Sequence, residues 1–258
     1  ALISFLCYII CWAQAADEHY YFKNLSIQDG LSQNSVTSIL QDRKGFMWFG
    51  TKDGLNRYDG FSFRKFKYDE LNNNSIGNNF VTALYEDKKG NIWVGTDVGL
   101  YIYYPDKDAF EHFAEQTSAN IRIDKATSMI SSDAQGQVWI AVESQGLFCY
   151  NLDTRSLTNF PLNNYPHITT NIKSFTFDNS GVLWIGFYGD GLFYSKDGLK
   201  TLLPYSTRDG SSEYVNDVVS DIVSGAYNCL YIGSAKGGLK ELNLTSGKMR
   251  NILSKDEE

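Results

Sequence analysis

Histidine, proline, cysteine and surplus positive charge are all scarce in this sequence, and each scarcity removes a class of function. The 3 histidines are His19, His112 and His167, and no spacing among them or with the cysteines resembles a metal-ligand set. Thirty acidic residues outweigh 23 basic ones for a formal charge of −7, which speaks against a phosphate backbone as partner, since that needs a basic face. No Gly-x-Ser-x-Gly elbow and no glycine-rich phosphate loop occurs, so neither a serine-hydrolase nucleophile nor a nucleotide cradle is written in the chain. No cofactor and no catalytic residue is expected. No segment sustains a 3.6-residue apolar period, which excludes a helical fold. Only 4 prolines accompany 22 glycines, with 17 Tyr, 16 Phe and 5 Trp, a balance that favours strands and turns.

Long apolar runs are missing as well. Leu2–Trp12 is uncharged but short for a bilayer, and Ala13-Gln14-Ala15 follows it in the small-x-small pattern of a signal-peptidase site. Residues 1–15 are therefore expected to be part of a signal peptide, and the mature chain to be exported. Of 4 cysteines, Cys7 and Cys11 fall in that leader, leaving Cys149 and Cys229 as isolated, buried small side chains.

What the chain has in quantity is repetition. Trp48, Trp93, Trp139 and Trp184 follow one another at intervals of 45, 46 and 45 residues, and Tyr231 stands 47 further on. Three residues before each tryptophan stands Gly45, Gly90, Gly136 or Gly181, and three before each of those Asp42, Asp87, Asp133 or Asp178. Two after the aromatic comes Gly50, Gly95, Ala141, Gly186 or Gly233, and a Gly-Leu pair starting at Gly54, Gly99, Gly146, Gly191 or Gly238 opens the next strand. A strand-rich period in the mid-forties marks propeller blades. Each position has a mechanical reading: Asp-x-x-Gly closes a hairpin, the tryptophan fills the space between blades, and the small residue lets a neighbouring backbone approach.

The expected fold is all-β, a β-propeller with five four-stranded blades of a seven-bladed ring. The blades cover approximately residues 32–68, 78–115, 124–162, 170–205 and 215–254. In each, an inner strand rich in small residues precedes the aspartate, the tryptophan strand follows, and two more complete the sheet. Repeat five breaks the turn pattern with Ser224-Gly-Ala-Tyr-Asn228. Residues 19–26 read as an orphan outer strand belonging to a further blade, so the chain is expected to be part of a longer protein.

The string from Gly30 to Gly60, GLSQNSVTSILQDRKGFMWFGTKDGLNRYDG, closely resembles the two-component regulator propeller repeat, the exported sensor region of hybrid histidine kinases best known from Bacteroidetes. The resemblance extends weakly through all five repeats. It implies a periplasmic segment of an inner-membrane sensor that responds to oligosaccharides from polysaccharide breakdown and signals to transcription. It implies also a homodimer formed by the full ectodomain, with membrane attachment only through a helix further along. The kinase histidine and receiver aspartate of such proteins correspond to no residue here.

Where a ligand would bind must be sought where the repeats differ. Loops joining the second to the third strand of a blade, and one blade to the next, share one face of a propeller. Tyr188 and Asp190 of blade four and Glu143 of blade three are the first candidates, with Gln145, Asp97, Lys236, Asn34 and Asn78 beside them. Their amide, carboxylate, ammonium and phenol groups suit sugar hydroxyls and rings. The motif residues, including Tyr231, read as structural. Two other functions are open to such a platform: a secreted scaffold for protein contacts, and a carbohydrate-active enzyme. For the latter, Ser131–Trp139 resembles the Asp-box of sialidase propellers, but with one residue too many between Asp133 and Gly136. Of the few arginines, only Arg43, Arg57 and Arg64 lie close in sequence.

Overall fold

A computed structural model describes residues 22–113, 123–160, 162, 165, 168, 171–206 and 218–253. The expected signal peptide (residues 1–15), His19, His167 and the stretch before the fifth inner strand lie outside them.

Among the described residues, twenty strands form five four-stranded antiparallel sheets, each in plain sequence order. The first contains β1 (Val36–Gln41), β2 (Met47–Thr51), β3 (Gly54–Tyr58) and β4 (Phe63–Phe66). The second contains β5 (Val81–Glu86), β6 (Ile92–Thr96), β7 (Gly99–Tyr104) and β8 (Ala109–His112). The third contains β9 (Thr127–Ser132), β10 (Val138–Val142), β11 (Gly146–Asn151) and β12 (Ser156–Phe160). The fourth contains β13 (Ile172–Phe177), β14 (Leu183–Phe187), β15 (Gly191–Ser195) and β16 (Leu203–Pro204), and the fifth β17 (Val219–Gly225), β18 (Cys229–Ser234), β19 (Gly238–Asn243) and β20 (Lys248–Leu253).

The sheets stack through their inner strands: β1 on β5, β5 on β9, β9 on β13 and β13 on β17. Among the described residues no comparable packing joins β17 back to β1. Four apolar cores fill the four junctions. Alternation along a strand serves two cores at once: Trp93 of β6 points into the core shared with the third sheet, Ile92 and Val94 into the one shared with the first. This is why β6, β10 and β14 are buried on both faces.

The five-bladed arrangement is as the repeat predicts, and so are the turns. Gly45, Gly90, Gly136 and Gly181 all have positive φ, between 73° and 89°. The small residue after each tryptophan sits against the next sheet: a Cβ on Gly50 would lie 2.6 Å from Val81, and one on Gly186 2.5 Å from Val219. In the fifth sheet a short 3-10 turn, Ala226–Asn228, replaces the aspartate hairpin, with Tyr227 and Asn228 in the left-handed region.

Of residues 19–26, expected to be an outer strand of a further blade, 19–21 lie outside the described residues. Residues 22–26 belong to none of the five sheets, whose outer places are held by β4, β8, β12, β16 and β20, and Phe22 is almost fully exposed. Both remaining cysteines are buried free thiols, and burial pushes the Cys149 thiol up to about 12.

Candidate functional site

The loop face is built by a bond that recurs in every sheet. The residue just after the tryptophan strand donates its N–H to the carbonyl just before the inner strand: Lys52 to Ser35, Asp97 to Phe80, Glu143 to Ala126, Tyr188 to Asn171 and Ala235 to Val218. That bond brings the two loop sets of each blade side by side on one face, which places all eight candidate residues at the same end of the arc.

Their surroundings differ. Tyr188 is 53% exposed, with the Lys173 ammonium 5.2 Å from its ring centre. Lys173 comes from inner strand β13, so a phenol and a cation meet beside the arc's inner edge. Asp190 is half-buried two residues on. Glu143 is exposed, and Gln145 donates its amide to Asp124 at 3.4 Å. Asp97 and Lys236 are exposed on their own turns. Two candidates already hold their own loops: the Asn34 side-chain carbonyl accepts from Ile27 N at 2.9 Å, and that of Asn78 from Phe80 N at 2.7 Å. Tyr188 and Lys173 form one cluster and Gln145 and Asp124 another.

The repeated aspartates lie at the opposite end and are fully engaged. Asp42 Oδ1 accepts from Lys44 N and Phe46 N, while its Oδ2 accepts from Trp48 Nε1 at 2.8 Å. Asp87, Asp133 and Asp178 do the same, each with its own tryptophan at 2.9–3.0 Å. The carboxylate thus fixes both hairpin and indole, a second task that the sequence pattern left unstated.

This turn face also holds what the sequence did not single out: clefts between sheets. One of about 480 Å³ lies between the fourth and fifth sheets, lined by Trp184, Tyr194, Lys196, Tyr205, Asn228 and Leu242 among others. Another of about 560 Å³ lies between the third and fourth, beside Trp139 and Phe177. A third, of about 320 Å³, lies between the first and second, among the charged side chains of Arg43, Arg57, Glu86 and Lys89. The signal for the first two was legible. In the strand after the Gly-Leu pair, Tyr58, Tyr103 and Tyr150 hold one repeat position, opposite the residue preceding the tryptophan. Ser195 and Leu242 hold it in the last two sheets.

Residues 30–53 and 75–98, each an inner strand, its aspartate hairpin and the tryptophan strand, match the family described as two component regulator propeller. A stretch of 63 residues of this chain is 41% identical to Histidine kinase P4 of Formosa agariphila, covering 24% of the chain and 5% of that protein. Among solved structures, the propeller overlays the extracellular domain of BT3049, assigned as a hybrid two component system of B. thetaiotaomicron. There the TM-score is 0.66 at 24% identity, over 91% of this chain and 37% of the other. It overlays the extracellular domain of BT4673 of the same organism, assigned as a one component system, with TM-score 0.67 at 22% identity, over 85% of this chain and 28% of that one. The chain thus spans 5% of the matched kinase and 28–37% of these solved structures. Among the described residues, no helix is long and apolar enough to cross a membrane.

Proposed function

We propose that this chain is the exported, ligand-sensing propeller segment of a hybrid two-component sensor kinase. It responds to an oligosaccharide from polysaccharide breakdown, and the whole protein signals to transcription through a kinase carried elsewhere in the chain. The observation that supports this reading is a division of labour. Each of the four repeated aspartates is engaged in holding a hairpin and its tryptophan, and polar loop residues that differ from blade to blade lie together on the opposite face. Tyr188 with Lys173, Asp190, Glu143, Gln145, Asp97, Lys236, Asn34 and Asn78 form the surface we assign to the ligand: phenol for a sugar ring, amides and carboxylates for hydroxyls.

On this reading the segment lies in the periplasm, and the full ectodomain pairs as a homodimer above a single membrane helix. Ligand acts by favouring one arrangement of that dimer over another, in proportion to its difference in affinity for the two. Calorimetry of the complete ectodomain against an oligosaccharide panel tests it. Saturable binding that Tyr188→Ala weakens is the expected result. No heat from any oligosaccharide would remove direct sugar sensing, and turnover of a panel member would replace the sensor with an enzyme.

A further inference from the structure

The junctions between sheets are not closed alike. On the turn face, the first two are plugged and laced. Trp48 meets Tyr103 of the next sheet with ring centres 5.4 Å apart, and Trp93 meets Tyr150 at 5.6 Å. Arg43 of the first hairpin reaches the second, bonding the Glu86 carboxylate at 3.1 Å and the Lys88 carbonyl at 3.2 Å. Lys88 and Lys89 of the second hairpin reach the third sheet, at Asp153 (2.8 Å) and the Leu152 carbonyl (3.1 Å).

Past the third sheet both devices stop. Ala134 and Asn179 stand where Arg43 and Lys88 reach across, and Ser195 and Leu242 stand where Tyr103 and Tyr150 plug. At the third junction Phe177 of the inner strand takes over, 5.3 Å from Trp139. At the fourth nothing does: the ring partners of Trp184 among the described residues, Tyr194 at 5.3 Å and Tyr205 at 5.5 Å, belong to its own sheet. The 480 Å³ cleft opens beside Trp184 at that junction.

We infer that this cleft between the fourth and fifth sheets is a binding site for a single six-membered sugar ring, separate from the loop face. Its volume falls within the ~300–1,000 Å³ of small-ligand pockets. One wall is aromatic, formed by Trp184, Tyr194 and Tyr205, and the facing wall is apolar, formed by Leu242 and Leu244. An apolar ring face seats between such walls. The rim supplies side chains that bond hydroxyls rather than balance a charge: Ser180, Ser206 and Asn228, whose amide donates to Thr245 at 3.1 Å and retains acceptor capacity. Lys196, 5.4 Å over the Tyr194 ring, adds an ammonium donor at the mouth. The Asp178 carboxylate takes no part, being engaged by its hairpin and by Trp184 Nε1 at 3.0 Å. A flat aromatic ligand would leave this hydroxyl and amide rim unmatched, whereas a ring bearing hydroxyls on its edge matches it.

The decisive variant is Leu242→Tyr, which restores the plug that the second and third sheets carry. The full chain is titrated with methyl glucoside, methyl galactoside, methyl mannoside and methyl xyloside, read by ligand-observed saturation-transfer NMR. The unaltered protein is expected to bind at least one, Leu242→Tyr to lose about tenfold or more in affinity, and Lys65→Ala, on an exposed position of outer strand β4, to bind as before. Should Leu242→Tyr fail to fold, Tyr205→Ala removes part of the aromatic wall and is expected to weaken binding likewise. Unchanged affinity in the folded cleft variant, an equal loss in Lys65→Ala, or no binding of any of the four glycosides by the unaltered protein would each overturn the site. None of these outcomes bears on oligosaccharide sensing by the loop face, which the calorimetry tests separately.

Discussion

At the scale of a residue, the repeated aspartate carries the most structure for its size. Asp87 is buried and accepts from Lys89 N, Asn91 N, Asn91 Nδ2 and Trp93 Nε1, at 2.8–3.0 Å. Asp87→Ala strands those donors and frees an indole that packs two sheets together, so a loss on the order of 3 kcal/mol is expected. Urea unfolding of the two proteins measures it, and a loss below about 1 kcal/mol would mean that water replaces the carboxylate. The tyrosine plugs add a pH dependence. Burial, with a bond to Asp108, pushes the Tyr103 phenol up to about 12, and burial does the same for Tyr104. Unfolded tyrosines ionise near 10, so below pH 10 both states keep the proton and these groups contribute fully. From pH 10 to 12 the unfolded chain releases protons that the folded chain holds, and stability falls. Melting temperature should drop across that window, and Tyr103→Phe should show a shallower drop. The aspartate, the glycine and the tryptophan were all legible from their spacing. The indole bond was not, because it joins residues six apart on two strands that only the hairpin brings together.

At the scale of an element, a blade is limited by how closely its second strand meets the next inner strand. A methyl on Gly186 would press 2.5 Å from Val219 Cγ1 and 3.2 Å from Ile222 Cδ1, both fixed in the fourth core. Gly186→Ala should therefore cost about 1–3 kcal/mol through overpacking. Gly233 holds the same repeat position, but the nearest atom to its added methyl is 3.6 Å away, so Gly233→Ala should leave stability within about 0.5 kcal/mol of the unaltered protein. Thermal melts of both variants make the comparison, and equal effects would show that packing between sheets does not set the requirement. Strand type and order were readable because period-two alternation and turn residues are local. The 3-10 turn at Ala226–Asn228 was not, because Ser224–Asn228 lacks the Asp-x-x-Gly spacing that identifies the other four hairpins.

At the scale of the molecule, stacked repeats contact only their neighbours, so stability is distributed junction by junction. The candidate loop residues were found in the sequence by asking where repeats differ. The clefts were missed because the informative difference lies in a strand, where Tyr103 and Tyr150 give way to Ser195 and Leu242, and variation there looks like ordinary core substitution until the facing tryptophan is seen. That change, with loss of the cross-sheet reach of Arg43, Lys88 and Lys89, leaves the turn face of the fourth junction less tied than those of the first two, although Ser174 Oγ joins its inner strands through Asp221 Oδ1 at 2.8 Å. Native-state hydrogen exchange should then report a gradient: amides of β5 and β6, plugged on both sides, should exchange slowest, and those of β17 and β18 faster by the smaller free energy of opening their junction. Leu242→Tyr should slow β17 and β18 toward the rate of β5 and β6 and leave the first two sheets unchanged. Uniform protection across all five sheets would mean that inner-strand packing alone sets the opening energy, and that the plugs shape the turn face without governing how the arc opens.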